Sequence, residues 1–259
     1  MPDELELDSF AALREIIAKL RAPDGCPWDR QQTHASLKPY LVEECYEALQ
    51  ALEEGAAQKL REELGDLLLQ IMLHAQIAAE NGEFDIEDVV KGISSKLIHR
   101  HPHVFGGLNV EDASEVELSW EALKQVERQE GEALLSSVPK QMPALAYSQS
   151  VQRRVAQVGF DWERVEEIID KLAEEVDEIR RAQSQDERAR EFGDLLFTLA
   201  NVSRRLDIDL EAALRAANER FYRRFLYMEE LCRKRGISFA SLSLDEQNAL
   251  WEEAKQRLE

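Results

Sequence analysis

The sequence predicts an all-α protein built from two tandem helical-bundle modules. Three observations carry that prediction. Apolar residues recur at helical spacing almost throughout, while strand-like alternation is nearly absent. Glycine and proline are scarce, 11 and 7 among 259 residues, and mark a small set of breaks. Three segments of the first half return in the same order in the second half.

Taken in order, the periodicity predicts helices at about 8–22, 38–54, 57–80, 86–99 and 113–130 in the first half, and at about 143–157, 163–183, 187–206, 209–235 and 244–258 in the second. Pro23 to Pro27, Asn81–Gly82, Pro102, Gly106–Gly107 and Gly159 separate them. Ser136 to Pro143, reading SSVPKQMP, is the best linker candidate. The expected organisation is therefore a module at 1–135, a linker at 136–143 and a module at 144–259.

The matching segments define the modules. EECYE at 43–47 is followed by ELGDLLLQ at 63–70, and EEVDE at 174–178 by EFGDLLFT at 191–198. IEDVVKGISSKLIHR at 86–100 aligns without a gap on LEAALRAANERFYRR at 210–224. The offset shrinks from one pair to the next, so the differences fall in loops.

Composition narrows the function. The net charge of −20 argues against duplex DNA or RNA as a partner, because phosphate contacts need clustered Lys and Arg. It argues equally against an anionic membrane surface. No apolar run is long enough to span a bilayer, and the acidic stretch Met1 to Asp8 is unlike a signal peptide. Cys26, Cys45 and Cys232 are widely spaced and odd in number, which predicts reduced thiols in a cytoplasmic protein.

The acids carry the chemistry. At about 100° per residue, Glu43, Glu44 and Glu47 share one arc of a helix, as do Glu174, Glu175 and Glu178. Glu63 and Asp66, or Glu191 and Asp194, stand one turn apart on the following helix. Each pair of helices can converge five carboxylates. Leu41, Cys45, Ala48 and Leu52 form the expected apolar stripe beside them, so the acids flank the helix–helix seam. Like charges at this spacing repel, and hard divalent cations, Mg²⁺ or Mn²⁺, relieve that repulsion through oxygen ligands. Either motif alone reads as a solvated acidic face; the pairing of both, twice in one chain, points to metal binding.

Other residues add to this. Lys96 and Arg100 align with Arg220 and Arg224, each pair at i, i+4, a spacing suited to phosphate oxygens or to the acidic helices themselves. Gly65 and Gly193 sit inside the second motif, where glycine costs about 1 kcal/mol relative to alanine, and predict close packing by another helix or approach of a ligand. His99, His101 and His103 read as a helix end rather than a metal site, since Pro102 interrupts them. Trp251, Trp28 and Trp162 are candidates either for base stacking or for core.

EExxE followed at short range by ExxD resembles the signature of the MazG-type nucleoside triphosphate pyrophosphohydrolases, in the all-α NTP pyrophosphatase group. CPWDRQQTHASLKPYLVEECYE, HRHPHVFG, VGFDW and AANERFYRRF extend the resemblance over nearly the whole chain. It implies helical bundles, usually in a homodimer that completes the core. It also implies Mg²⁺-dependent hydrolysis of NTPs or dNTPs to the monophosphate and pyrophosphate. On this resemblance Glu175, Glu178, Glu191 and Asp194 take the metal, and Lys171, Glu174, Arg220, Arg224 and Trp251 the nucleotide. Arg220 departs from the family, which often has Lys there; the charge is kept. The implied chemistry is in-line attack of water on the α-phosphorus, with Glu174 or Glu175 taking its proton and pyrophosphate leaving against Arg220 and Arg224. The second module is the expected main site.

Rival readings fare worse. A ferritin-like di-iron bundle needs Glu-x-x-His motifs, and no histidine stands three residues after a glutamate. A His-Asp phosphohydrolase needs an adjacent His-Asp pair, which is absent. A non-enzymatic nucleotide-sensing or interaction protein would keep the helices without turnover.

Overall fold

The computed structural model describes residues 8–110, 112, 115–116, 123 and 133–258. Among them there is no strand, and the fold is all-α, two helical modules in tandem. The chain divides into two compact units, Met1–Arg128 and Gln129–Glu259. The first contains α1 (Phe10–Arg21), α2 (Pro27–Gln31), α3 (His34–Glu53), α4 (Ala57–Glu80), α5 (Ile86–Arg100) and α6 (Pro102–Phe105). The second contains α7 (Ala144–Ala156), α8 (Val165–Arg181), α9 (Gln185–Arg205), α10 (Leu210–Arg235), a 3₁₀ turn (Phe239–Ser241) and α11 (Leu244–Leu258). The helix expected at 113–130 lies outside the described residues except at Glu115, Val116 and Leu123.

Most helices form where periodicity places them, and local chemistry sets their ends. Ser9, Ser184 and Asp209 cap α1, α9 and α10 by accepting from backbone N–H groups three residues on. Gly236, at φ 65°, ends α10 in the left-handed conformation that glycine adopts without a Cβ penalty. One start differs from expectation. α3 begins at His34, not near 38, because Thr33 and Ser36 form a reciprocal capping box. Pro39 then lies inside the helix instead of opening it. α2 and α6 were not expected; each starts with proline at its first position, where the missing N–H has no intrahelical partner to lose.

In each unit the most extensive packing is between the two acid-bearing helices, α3 on α4 and α8 on α9. The inward stripe of α3 is Leu37, Leu41, Glu44, Ala48 and Ala51, with Leu37, Ala48 and Ala51 buried. The expected stripe is corrected on this point. Cys45 is exposed and Leu52 is 58% exposed, because both lie at the edge of that arc. Glu44 therefore stands in the seam itself. Ile17, Leu37, Met72, Leu73 and Ile77 form the first core, each such side chain contributing roughly 1.5–3 kcal/mol by burial. In the second unit Met228, Cys232, Leu250 and Ala254 form a core between α10 and α11.

One joint recurs with its polarity reversed. In the first unit the buried Arg21, at the end of α1, pairs with Glu80 at the end of α4 at 2.7 Å and donates to the carbonyls of Asp29 and Gln32. In the second, Arg204 and Arg205 at the end of α9 reach back to Asp161, in the loop after α7. Gln149 on α7 strengthens that end: it donates to Ser203 Oγ and the Ile208 carbonyl, and accepts from the Leu210 N–H. Val138 is buried, and Arg154 on α7 donates to Ser137 at 2.8 Å.

Candidate active site

Each acid-bearing hairpin gathers three carboxylates to a point. In the first unit Glu44, Glu63 and Asp66 each bring an oxygen within 4.8 Å of the others; in the second Glu175, Glu178 and Glu191 do so. Of the expected five in each module, Glu43 and Glu47 lie beside the first trio: both charges act on Glu44, and Glu47 shares a hydrogen bond with Glu63. Asp194 is exposed and outside the second trio, where its counterpart Asp66 is inside the first. Glu174 is exposed and pairs instead with Lys171 at 3.2 Å.

Electrostatics separate the two sites. Removal from water, then the charges of Asp66, Glu47, Glu43 and Glu63, push the Glu44 carboxyl above its ordinary value. Glu63 is raised by desolvation and by Glu47, with Lys59 opposing weakly. In the second site Lys171 lies 3.0 Å from the carboxylate of Glu175, a residue only 4% exposed, and answers its charge. Hydrogen bonds from Lys171 to Glu175 and then Glu174 hold the ammonium above its usual range. Glu178 is still raised, by desolvation, although Lys171 pulls the other way. Tyr40 stands in α3 where Lys171 stands in α8, and it packs edge-on against Trp28.

Of the expected cations, Lys171 meets the acids, while the others stand on different helices. α10, which carries Arg220 and Arg224, packs chiefly on α11 and α7. Arg224 lies over the Trp251 ring, 5.4 Å from its centre. Trp251 also meets Phe221 and borders the α10–α11 core, so its packing is that of a half-buried core residue. Lys96 is exposed on α5, a helix that buries no residue. At Gly65 and Gly193 the structure bears on one of the two expectations, close packing by another helix. Among the described residues a Cβ at either would meet nothing within 4 Å, so close packing by them does not explain these glycines. His101 ends α5, as expected for this run, its Nδ1 2.6 Å from the Leu97 carbonyl.

Sequence reasoning missed one constellation. His34 and His74 lie with rings parallel and Nδ1 atoms 2.7 Å apart, and the buried Nε2 of His74 has no partner among the described residues. The two are far apart in the chain and share no motif, so nothing in the sequence joins them. Burial and the neighbouring imidazole hold His74 below its ordinary value.

All-carboxylate hairpins in an all-α frame suit a hard divalent cation. Comparison with known proteins is more specific. Residues 32–105 match the model of the MazG nucleotide pyrophosphohydrolase domain, and residues 148–221 that of phosphoribosyl-ATP pyrophosphohydrolase. The chain is 44% identical over 247 residues to the nucleoside triphosphate pyrophosphohydrolase/pyrophosphatase MazG of Thermotoga maritima, covering 95% of each. It is 41% identical to a nucleoside triphosphate pyrophosphohydrolase of Escherichia coli, covering 97% of this chain and 98% of that protein. It is 46% identical to an uncharacterised Bacillus subtilis protein, of which it spans 53%. The chain belongs to the MazG family of nucleotide pyrophosphohydrolases and is an enzyme of the hydrolase class.

Proposed function

We propose that the chain hydrolyses nucleoside triphosphates, ribo or deoxy, to the monophosphate and pyrophosphate in a Mg²⁺-dependent reaction, with the second module as principal site. The observation that carries this reading is the convergence of Glu175, Glu178 and Glu191 beside Lys171. The donors are all carboxylate oxygens, which suits a hard ion such as Mg²⁺, with Mn²⁺ as substitute. Asp194, one turn beyond Glu191, joins this set. Once bound, the cation neutralises phosphate oxygens and acidifies water.

The remaining roles fall to side chains. Glu174 or Glu175 accepts the proton of the attacking water. Lys171 can trade its two glutamates for triphosphate oxygens. Arg220 and Arg224 answer the charge of the departing pyrophosphate, and Trp251 contributes to nucleotide binding. In the first module Glu43, Glu44, Glu47, Glu63 and Asp66 form a second metal group, with Lys96 and Arg100 facing phosphate.

A second copy of the chain is the cover we propose for apolar faces left open: α5 buries no residue, and Phe192, Leu196, Phe221 and Tyr222 are about half exposed. Residues 136–143 serve as the joint between the modules. Among the described residues no helix is long and apolar enough to cross a membrane. The substrate and the acidic chain fit a cytoplasmic enzyme with no nucleic-acid polymer or membrane partner.

Product analysis with a panel of NTPs and dNTPs tests the reading. Monophosphate and pyrophosphate that form with Mg²⁺ and vanish with chelator are expected. Diphosphate and phosphate would place attack at the γ-phosphorus and defeat it.

A further inference from the structure

We propose that His34 and His74 form a proton-operated clasp in the first unit. With a proton shared between them they tie the start of α3 to α4, and with both imidazoles charged they release it. The clasp acts on the folding of the first unit and is separate from the hydrolytic site proposed in the second.

The geometry selects a shared proton. The ring planes are 4° apart, the ring centres 5.0 Å and the Nδ1 atoms 2.7 Å. The difference between those two lengths is the width of one imidazole ring, so both nitrogens lie on the line between the centres and the rings meet edge to edge. Each nitrogen then aims at the other in its ring plane, the arrangement of one N–H···N hydrogen bond. A metal ion would need to stand about 2.0–2.1 Å from each nitrogen along its lone pair, and here those directions meet head-on. When both imidazoles are charged, both Nδ1 atoms carry hydrogen and neither accepts. Two cations then face each other at the positive end of the α3 dipole, since His34 is the first residue of that helix. The charged His74 also carries an N–H at Nε2, which is buried with no partner among the described residues.

Among the described residues, no neighbour answers that charge. One turn either side of His74, α4 presents Gln70, Ile71, Ile77 and Ala78, all uncharged. Lys38 stands one turn on from His34 in α3, Asp29 and Arg30 lie in α2, and Arg21 of α1 is paired with Glu80. At the start of α5, Asp85 and Glu87 border a pocket with Met72 and Ala75, and Glu87 is paired with Arg14. None of these bonds to either imidazole, and the charge that acts on His74 is that of His34. Burial, then that charge, holds His74 below its ordinary value. The folded chain thus resists a proton that the unfolded chain accepts. The contribution of the clasp is therefore whole above the unfolded value, about 6.5, and is lost as pH falls below it through the lower folded value.

The second unit builds the same hairpin without the pair. The register that lays EECYE on EEVDE sets His34 on Val165, and the register that lays ELGDLLLQ on EFGDLLFT sets His74 on Val202. His34 and Val165 both open their helices, and all four residues are half-buried. An apolar pair suffices at these positions in one hairpin, whereas a titratable pair stands in the other. α3 runs on from the clasp to Glu44, so release at His34 loosens the helix that brings Glu44 to Glu63 and Asp66.

Backbone hydrogen exchange of the full chain tests the clasp, read by mass spectrometry at about pH 7.5 and about pH 5.5 and corrected for intrinsic rates. Protection of residues 34–41 should fall about tenfold at the lower pH, while that of residues 165–172 holds. In the double variant His34→Val/His74→Val, which takes the residues of the second unit, the fall should disappear although every carboxylate remains. A second measurement needs no substitution: in the ¹⁵N-labelled parent, an imidazole Nδ1–H should be protected from exchange at the higher pH and lost at the lower. No fall in the parent, an equal fall in parent and double variant, or no protected imidazole N–H in the parent would each overturn the clasp.

Discussion

The two acid-bearing hairpins are alike in frame and unlike in charge balance. The first brings Glu44, Glu63 and Asp66 together and leaves Glu44 and Glu63 both shifted upward. The second brings Glu175, Glu178 and Glu191 together and sets Lys171 against the buried Glu175. The difference traces to one position. Tyr40 in the first hairpin turns to Trp28, closing an aromatic pair; Lys171 in the second turns to the acids. Trp162, which follows α7 much as Trp28 follows α1, is left to line a cavity. Three acids with only the weak pull of Lys59 on Glu63 among the described residues favour any cation. Three acids with an ammonium already among them favour a cation that arrives with an anionic substrate for the ammonium to hold. That difference is the ground on which we propose catalysis in the second module.

The comparison breaks most sharply at Lys171. Lys171→Met should cut pyrophosphate release by about a hundredfold, the usual cost of one lost charge stabiliser, while Mg²⁺ binding, followed by calorimetry, tightens. Unchanged turnover would mean that the lysine is only a counter-ion. The converse change, Tyr40→Lys, should lower the Glu44 carboxyl toward its ordinary value, visible by NMR titration.

A smaller effect is expected at the joints of reversed polarity. Arg21→Met leaves Glu80 without its guanidinium and two carbonyls without a donor, and should destabilise the first unit by about 2 kcal/mol in urea unfolding. The Arg21 hydrogen bonds hold Glu80 below its ordinary value. Its stabilisation is therefore complete above the unfolded value, about 4.3, and is lost as pH falls through the lower folded value. At Asp161 burial pushes upward, but Arg204 and Arg205 more than offset it. The same sign applies there, from about 3.9 downward. Acid unfolding in Arg21→Met should lose the Glu80 contribution; an unaltered pH profile would remove the joint from the account.

The smallest effect concerns Gly193. Its Cβ would meet nothing, so Gly193→Ala should raise stability by about 1 kcal/mol through helix propensity. Sedimentation of the same variant should still report a mass near twice 29.7 kDa. Lost stability together with a single-chain mass would show that the second copy packs on this glycine.

Much of the frame was legible because it rests on long periodic segments. α4, for example, occupies its expected range of 57–80. α3 began early because a capping box that uses serine outweighed the boundary Pro39 implies. α2 and α6 are too short to show a period. For the site, spacing reveals which acids share a face but not which rotamers converge, so Asp66 and Asp194 read alike and stand differently. The pairing of Lys171 with Glu175 is an i, i+4 contact that the sequence permits without distinguishing it from solvent exposure. The His34–His74 pair depends on tertiary neighbours, which no local pattern encodes.

The most direct measurement is pyrophosphate release by two full-length variants side by side, Glu175→Gln and Glu44→Gln, at saturating Mg²⁺ and one NTP. The account predicts a loss of about a thousandfold or more in the first, and less than about tenfold in the second. The reverse order, with Glu44→Gln abolishing turnover and Glu175→Gln sparing it, would contradict the assignment of catalysis to the lysine-balanced cluster.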